Sequence, residues 1–214
     1  MNRDKLKQIQ EELPEHVMLV AVSKLHTKNE VDEAYHLGCR VFGENKVQEL
    51  KEKYDPAYTW HMIGHLQRNK VKDVVPLVSM IESLDSLRLA QEIEKQCAKI
   101  DKRMPVLVEI NISREADKTG ILLEEAIGFI KQCMQLPHLD VQGLMCVGPL
   151  QHPEHVEACF EKMNILYRKL QAEYGSDQIR YLSMGMSGDY PIALRYGSNI
   201  VRLGTVIFGG RTYS

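Results

Sequence analysis

One amine stands out as a reagent. Val17-Met18-Leu19-Val20-Ala21-Val22 is an unbroken apolar run that leads into Ser23-Lys24. A run without polar alternation suits a parallel strand buried on both faces. A lysine at the end of such a strand loses hydration, which disfavours its ammonium form and leaves an amine able to form an imine with a carbonyl compound. Taken alone, Lys24 reads far more often as a side chain whose ammonium simply reaches water, because strongly perturbed lysines are the exception.

A second group of residues suits an anion. Ser183-Met184-Gly185-Met186-Ser187-Gly188 and, further on, Gly204-Thr205 combine small residues with hydroxyls. Backbone amides left open in such loops suit a phosphate, although glycines of this kind also serve ordinary tight turns. An amine at one end of a site and a phosphate at the other describe an aldehyde that carries a phosphate. Pyridoxal 5′-phosphate is the obvious member of that class. The late glycines are not a dinucleotide fingerprint, because they lack the Gly-x-Gly-x-x-Gly order.

The elements that must position these residues follow from the hydrophobic pattern. Leu6, Ile9 and Leu13 make an opening helix that stops at Pro14. Thr27 to Glu30 has the spacing of a capping box, and the helix it opens ends at Gly38. Strands are expected at 17–22, 40–43, 58–63, 78–83, 104–112, 141–147, 179–183 and 200–203. Helices are expected at 46–54, 66–75, from Ser86 through Cys97, and at 122–135, 153–174 and 189–196, with a closing piece around Phe208. Eight strand-then-helix units predict a single-domain (β/α)8 TIM-like barrel over residues 1–214, with an open doubly wound sheet as the alternative.

In a barrel of this kind, functional side chains gather where strands end. The strand ends here offer Lys24, Glu44-Asn45, His65 and Gln67, Ser83 and Asp85, Asn111 and Ser113, Ser183 and Ser187, and Arg202 with Gly204 and Thr205. Each has a local explanation as a cap or turn residue. Their convergence is what singles out the face.

The composition narrows the function. The 214 residues are 44% hydrophobic and 26% charged, and 27 basic and 29 acidic residues mix along the chain to a net charge of −2. No basic stripe recommends nucleic acid or an anionic membrane, and no apolar run approaches membrane-spanning length. The polar opening differs from a signal core, so a cytoplasmic protein is expected. Five cysteines without a Cys-x-x-Cys pair argue for buried thiols rather than disulfides or a zinc knuckle. His61 and His65 straddle a strand end and cannot share a helical face, while His152 and His155 open a surface helix. No metal is expected.

The motifs Ala21-Val22-Ser23-Lys24, Phe42-Gly43-Glu44-Asn45, Trp60 through Lys70, Val108-Glu109-Ile110-Asn111, Leu182 through Asp189, and Val201-Arg202-Leu203-Gly204-Thr205 occur in one order along nearly the whole chain. In this they resemble the pyridoxal phosphate homeostasis proteins, relatives of the barrel domain of fold-type III enzymes such as alanine racemase. The resemblance implies that Lys24 holds the cofactor as a Schiff base, that Ser187, Gly204 and Thr205 bind its phosphate, that Arg202 faces its pyridine nitrogen, and that Asn45 belongs to the same site. It implies a monomer acting in vitamin B6 balance without strong catalysis, with apo-enzymes that need pyridoxal phosphate as candidate recipients. The alternatives are an amino-acid racemase or decarboxylase of the same fold type and a lysine-dependent aldolase without the cofactor. An aldolase would not need the arginine and phosphate contacts.

Overall fold

Strand and helix alternate in the order that the hydrophobic pattern requires. The computed structural model describes residues 1–149 and 152–210, so residues 150–151 and the last four of the expected 1–214 domain lie outside the description. After α1 (Arg3–Glu12) come β1 (Met18–Val22), α2 (Lys28–His36), β2 (Val41–Glu44), α3 (Val47–Lys53), β3 (Thr59–Met62), α4 (Val71–Val74), β4 (Met80–Leu84) and α5 (Leu87–Ala98). The second half runs β5 (Met104–Glu109), α6 (Ala126–Cys133), β6 (Leu139–Met145), α7 (Val156–Tyr174), β7 (Tyr181–Ser183), α8 (Tyr190–Arg195), β8 (Ile200–Leu203) and α9 (Thr205–Phe208). All eight strands are parallel to their neighbours, and β8 returns to pair with β1, with Met18 opposite Ile200 and Leu19 opposite Val201. This is a closed (β/α)8 barrel rather than an open sheet.

Two layers of core hold it. Between strands and helices lies a continuous apolar shell that includes Phe42, Trp60, Ile93, Ile130, Phe160 and Ile207. Leu6 and Ile9 of α1 are fully buried in it, and Asn2 N donates to Ile207 O, which ties α1 to α9. Inside the barrel a separate cluster of Val20, Met80, Leu107, Met145 and Ile200 fills the interior. Side chains two residues apart on a strand share a face. The next inward positions toward the strand ends are therefore Val22, Glu82, Glu109, Val147 and Arg202, so the interior turns polar and charged just above its apolar plug.

Some boundaries differ from the pattern. Helix 122–135 begins only at Ala126, because Glu125 N and Ala126 N bond three residues back in tight turns that keep the same apolar period. The stretch expected as helix 66–75 opens with a 3-10 turn at Arg68–Lys70 before α4, and α7 is likewise preceded by a 3-10 turn at Pro153–His155. Strand β5 stops at Glu109 instead of Ile112. Glu44 lies within β2 rather than following it, Ser83 lies one residue short of the end of β4, and both are fully buried. Among the described residues, no helix is long and apolar enough to cross a membrane.

Candidate active site

At the carboxyl-terminal face of the barrel a cavity of about 250 Å³ is lined by Val22, Lys24, Asn45, Ile63, Val147, Met186, Ser187, Gly188, Arg202, Gly204 and Thr205. All six residues expected from the sequence therefore meet in one place. Its floor is the ring just above the apolar plug, with Val22 from β1, Val147 just past β6 and Arg202 from β8. Its lining holds two cationic side chains, two hydroxyls, one side-chain amide and no carboxylate among the described residues. Such a donor set suits an anionic ligand.

Lys24 follows β1 in a tight turn. His26 N donates to Ser23 O at 3.0 Å, and Leu25 at the third position has φ +65°. This is the pattern of a type II turn, whose third position usually takes glycine. A leucine there costs about 1–2 kcal/mol in backbone strain. The turn is braced from α3. Lys53 Nζ donates to Ser23 O and to Glu44 Oε1, each at 2.8 Å, and Glu49 Oε2 accepts from Leu25 N at 2.6 Å. Burial is the main influence on Glu44 and raises its carboxyl above the ordinary range, although Lys53 and Ser23 bond one of its oxygens. For Glu49 the desolvation is outweighed by the Leu25 amide and Lys53, and its carboxyl lies below that range.

Arg202 is 4% exposed and fixed at both ends of its guanidinium. Nη1 donates to Ser183 Oγ at 2.6 Å and Nη2 to Cys146 O at 2.7 Å. Ser183 Oγ in turn donates to Glu82 Oε2 at 2.6 Å, and His61 Nδ1 lies 2.7 Å from Glu82 Oε1. Burial is the largest influence on Glu82 and opposes its charge, yet the His61 bond, the neighbouring Arg202 charge and Ser183 hold its carboxyl below the usual range. A guanidinium so held can donate to a ligand atom but never accept a proton from it.

The anion end is built on the loop after β7 and the start of α9. Ser187 Oγ accepts from Gly204 N and Val206 N, both at 3.4 Å, so these amides point toward the cavity rim. A Cβ built on Gly204 would lie 3.1 Å from Val22 O, so this glycine lets β8 and its following turn close against β1 rather than opening space for a ligand directly.

The remaining polar strand ends do other work. Asn111 Nδ2 donates to Glu115 O and Lys118 O and so shapes its own loop, and Ser83 Oγ donates to Gly64 O. His65 pairs with Asp85 at 2.7 Å and, with Gln67, borders a second polar cavity that shares Asn45 with the first. His61 sits inside the barrel, whereas His152 and His155 are exposed. Sequence reasoning gave no site role to Glu49, Lys53, Glu82 or His61. His61 lay inside the motif Trp60 through Lys70 and Glu82 is the one acid in the stretch 78–84, but no local spacing pairs them.

A family model of the alanine racemase N-terminal domain matches residues 2–212 of this chain. The pyridoxal phosphate homeostasis protein of Aquifex aeolicus (strain VF5) is 40% identical over 200 residues, which cover 91% of this chain and 87% of that protein. Among solved structures, PipY of Synechococcus elongatus PCC7942 without PLP superposes with a TM-score of 0.91 at 32% identity, covering 98% of this chain and all of that one. The structure of the same protein with PLP bound gives a TM-score of 0.87 over 97% of this chain and 99% of that one.

Proposed function

This chain belongs to the family of the pyridoxal phosphate homeostasis proteins, within the alanine racemase N-terminal domain group, and on that premise we propose that it binds pyridoxal 5′-phosphate and acts in keeping the cell's supply of it. The observation that carries this reading is the one cavity shared by Lys24, Asn45, Ser187, Arg202, Gly204 and Thr205, whose lining is cationic and, among the described residues, free of carboxylates. Lys24 would hold the aldehyde carbon, Ser187 with the Gly204 and Thr205 turn the phosphate, and Arg202 the ring nitrogen. When bound, the cofactor supplies an electrophilic carbon and a ring able to draw electrons. Arg202, pinned by Ser183 and Cys146, keeps a donor and no proton acceptor at its end of the cavity, which would leave the ring a weaker electron sink. The reading includes a cytoplasmic monomer that passes cofactor to apo-enzymes, to be followed by light scattering and by the recovery of apo-enzyme activity.

Covalent trapping tests the core of the reading. Protein incubated with pyridoxal 5′-phosphate and reduced with borohydride should carry the added mass on the peptide containing Lys24, and Lys24→Ala should abolish it. Label confined to another lysine would refute the assignment.

A further inference from the structure

The two peptide groups that flank Lys24 are both bonded to one helix, and we propose that Glu49 and Lys53 of α3 are positioning residues for the Lys24 amine. The inference rests on the reading of Lys24 as the residue that bonds the cofactor. The carbonyl of the peptide before Lys24 belongs to Ser23 and accepts from Lys53 Nζ at 2.8 Å. The amide of the peptide after it belongs to Leu25 and donates to Glu49 Oε2 at 2.6 Å. With both peptide planes held, rotation about the two backbone bonds of Lys24 is fixed, and so is the direction in which its side chain leaves the main chain.

The brace is itself fully determined. An ammonium has three donors. Lys53 Nζ, on a side chain only 6% exposed, spends them on Ser23 O, Glu44 Oε1 and Glu49 Oε2 at 2.8, 2.8 and 2.9 Å. Ser23 Oγ adds a 2.7 Å bond to the same oxygen of Glu44. Charge-assisted bonds of this length are strong and directional. Neither Glu49 nor Lys53 lines the cavity, so their effect on the cofactor passes through the backbone at 23–25. The left-handed conformation of Leu25 gives the brace a task, because a leucine would leave that conformation readily if its amide were released.

The test compares wild type, Glu49→Ala, Glu49→Gln, Lys53→Met and Lys24→Ala. Capture of pyridoxal 5′-phosphate is followed by stopped-flow visible absorbance, and folding by circular dichroism. Glutamine at 49 retains an acceptor for the Leu25 amide, whereas alanine does not. Glu49→Ala and Lys53→Met should slow capture about tenfold in the folded protein, because a small misplacement of a reacting group is costly, and Glu49→Gln should recover most of the rate. A role confined to stability would lower the melting temperature and leave the capture rate of folded protein unchanged, which would overturn the proposal. Glu49→Gln as slow as Glu49→Ala would also overturn it. Should Lys53→Met not fold, the Glu49 pair decides alone. If wild type is not labelled at Lys24, the cofactor reading and the brace both fall. If it is labelled there and Glu49→Ala keeps the wild-type rate, only the brace falls.

Discussion

At the scale of single residues, the interior of this barrel is held by charge compensation that extends through hydroxyls. Arg202 Nη1 lies 4.0 Å from Glu82 Oε2, and Ser183 bridges the gap with two bonds of 2.6 Å. Removing one member of such a set leaves the other buried without compensation, which is far more damaging than the set is stabilising. Glu82→Gln keeps the shape and deletes the charge, so it should destabilise the fold by about 3 kcal/mol near neutral pH. The carboxyl is held below its ordinary pKa in the folded state, so its contribution is present above the unfolded-state value and is lost as pH falls through the folded value. The gap between wild type and Glu82→Gln should therefore be full near neutrality and narrow as pH drops below about 4. Urea midpoints measured across that range check the point, and a gap that stayed constant or widened in acid would contradict it.

At the scale of elements, neighbouring βα loops share space as well as a ligand site. A Cβ on Gly64, just after β3, would stand 2.5 Å from Asn45 O and 2.6 Å from Asn45 Cα, both backbone atoms of the loop after β2. Ser83 of β4 holds the Gly64 carbonyl from the other side at 2.7 Å, so the turn cannot retreat. Gly64→Ala should push Asn45 out of the cavity wall, weaken pyridoxal 5′-phosphate binding severalfold, and cost about 1–3 kcal/mol through overpacking. Cofactor titration and thermal melts read both effects, and wild-type affinity in this variant would show that the Asn45 loop does not shape the site. The alternation that builds these units was legible in the sequence because strand and helix periods differ, and the six cavity residues were legible because strand ends are where this fold gathers polar groups. The braces were not. Ser183 finds Glu82 across 101 residues and Lys53 finds Ser23 across 30, so no local spacing announces either pair. Helix starts at Ala126 and Val71 were missed because turns bonded three residues back carry the same apolar rhythm as a helix.

At the scale of the whole molecule, closure of the barrel buries every thiol, with Cys39 and Cys159 keeping only 3% and 7% of their surface exposed. Cys39, Cys97, Cys133, Cys146 and Cys159 are all free and buried, and they are distributed around the shell from the end of α2 to α7. Desolvation pushes Cys39 and Cys97 up to about 11 and Cys133 and Cys146 up to about 12, and it raises Cys159 as well. The thiolate is the reactive form, so burial suppresses both access and nucleophilicity. A disulfide reagent at about pH 8 should find almost no thiol in the native protein, and all five should appear together at the rate of global unfolding in urea. The same shifts, together with the raised phenols of Tyr58 and Tyr167, contribute to the alkaline limit of the fold. An acid whose pKa is higher in the folded state contributes stability that is present below its unfolded value and lost as pH rises toward the folded one. An unfolded thiol ionises near pH 8.5, so melting temperature should begin to fall there and continue to fall toward about pH 11. Cys133→Ala should flatten that decline without changing the acid side, since Cys133 contributes one of the largest raised values and lies in α6, away from the cavity. One thiol reacting rapidly in folded protein, or an alkaline limb unchanged in Cys133→Ala, would show that the shell is more open on that side than the packing of α6 against the barrel requires.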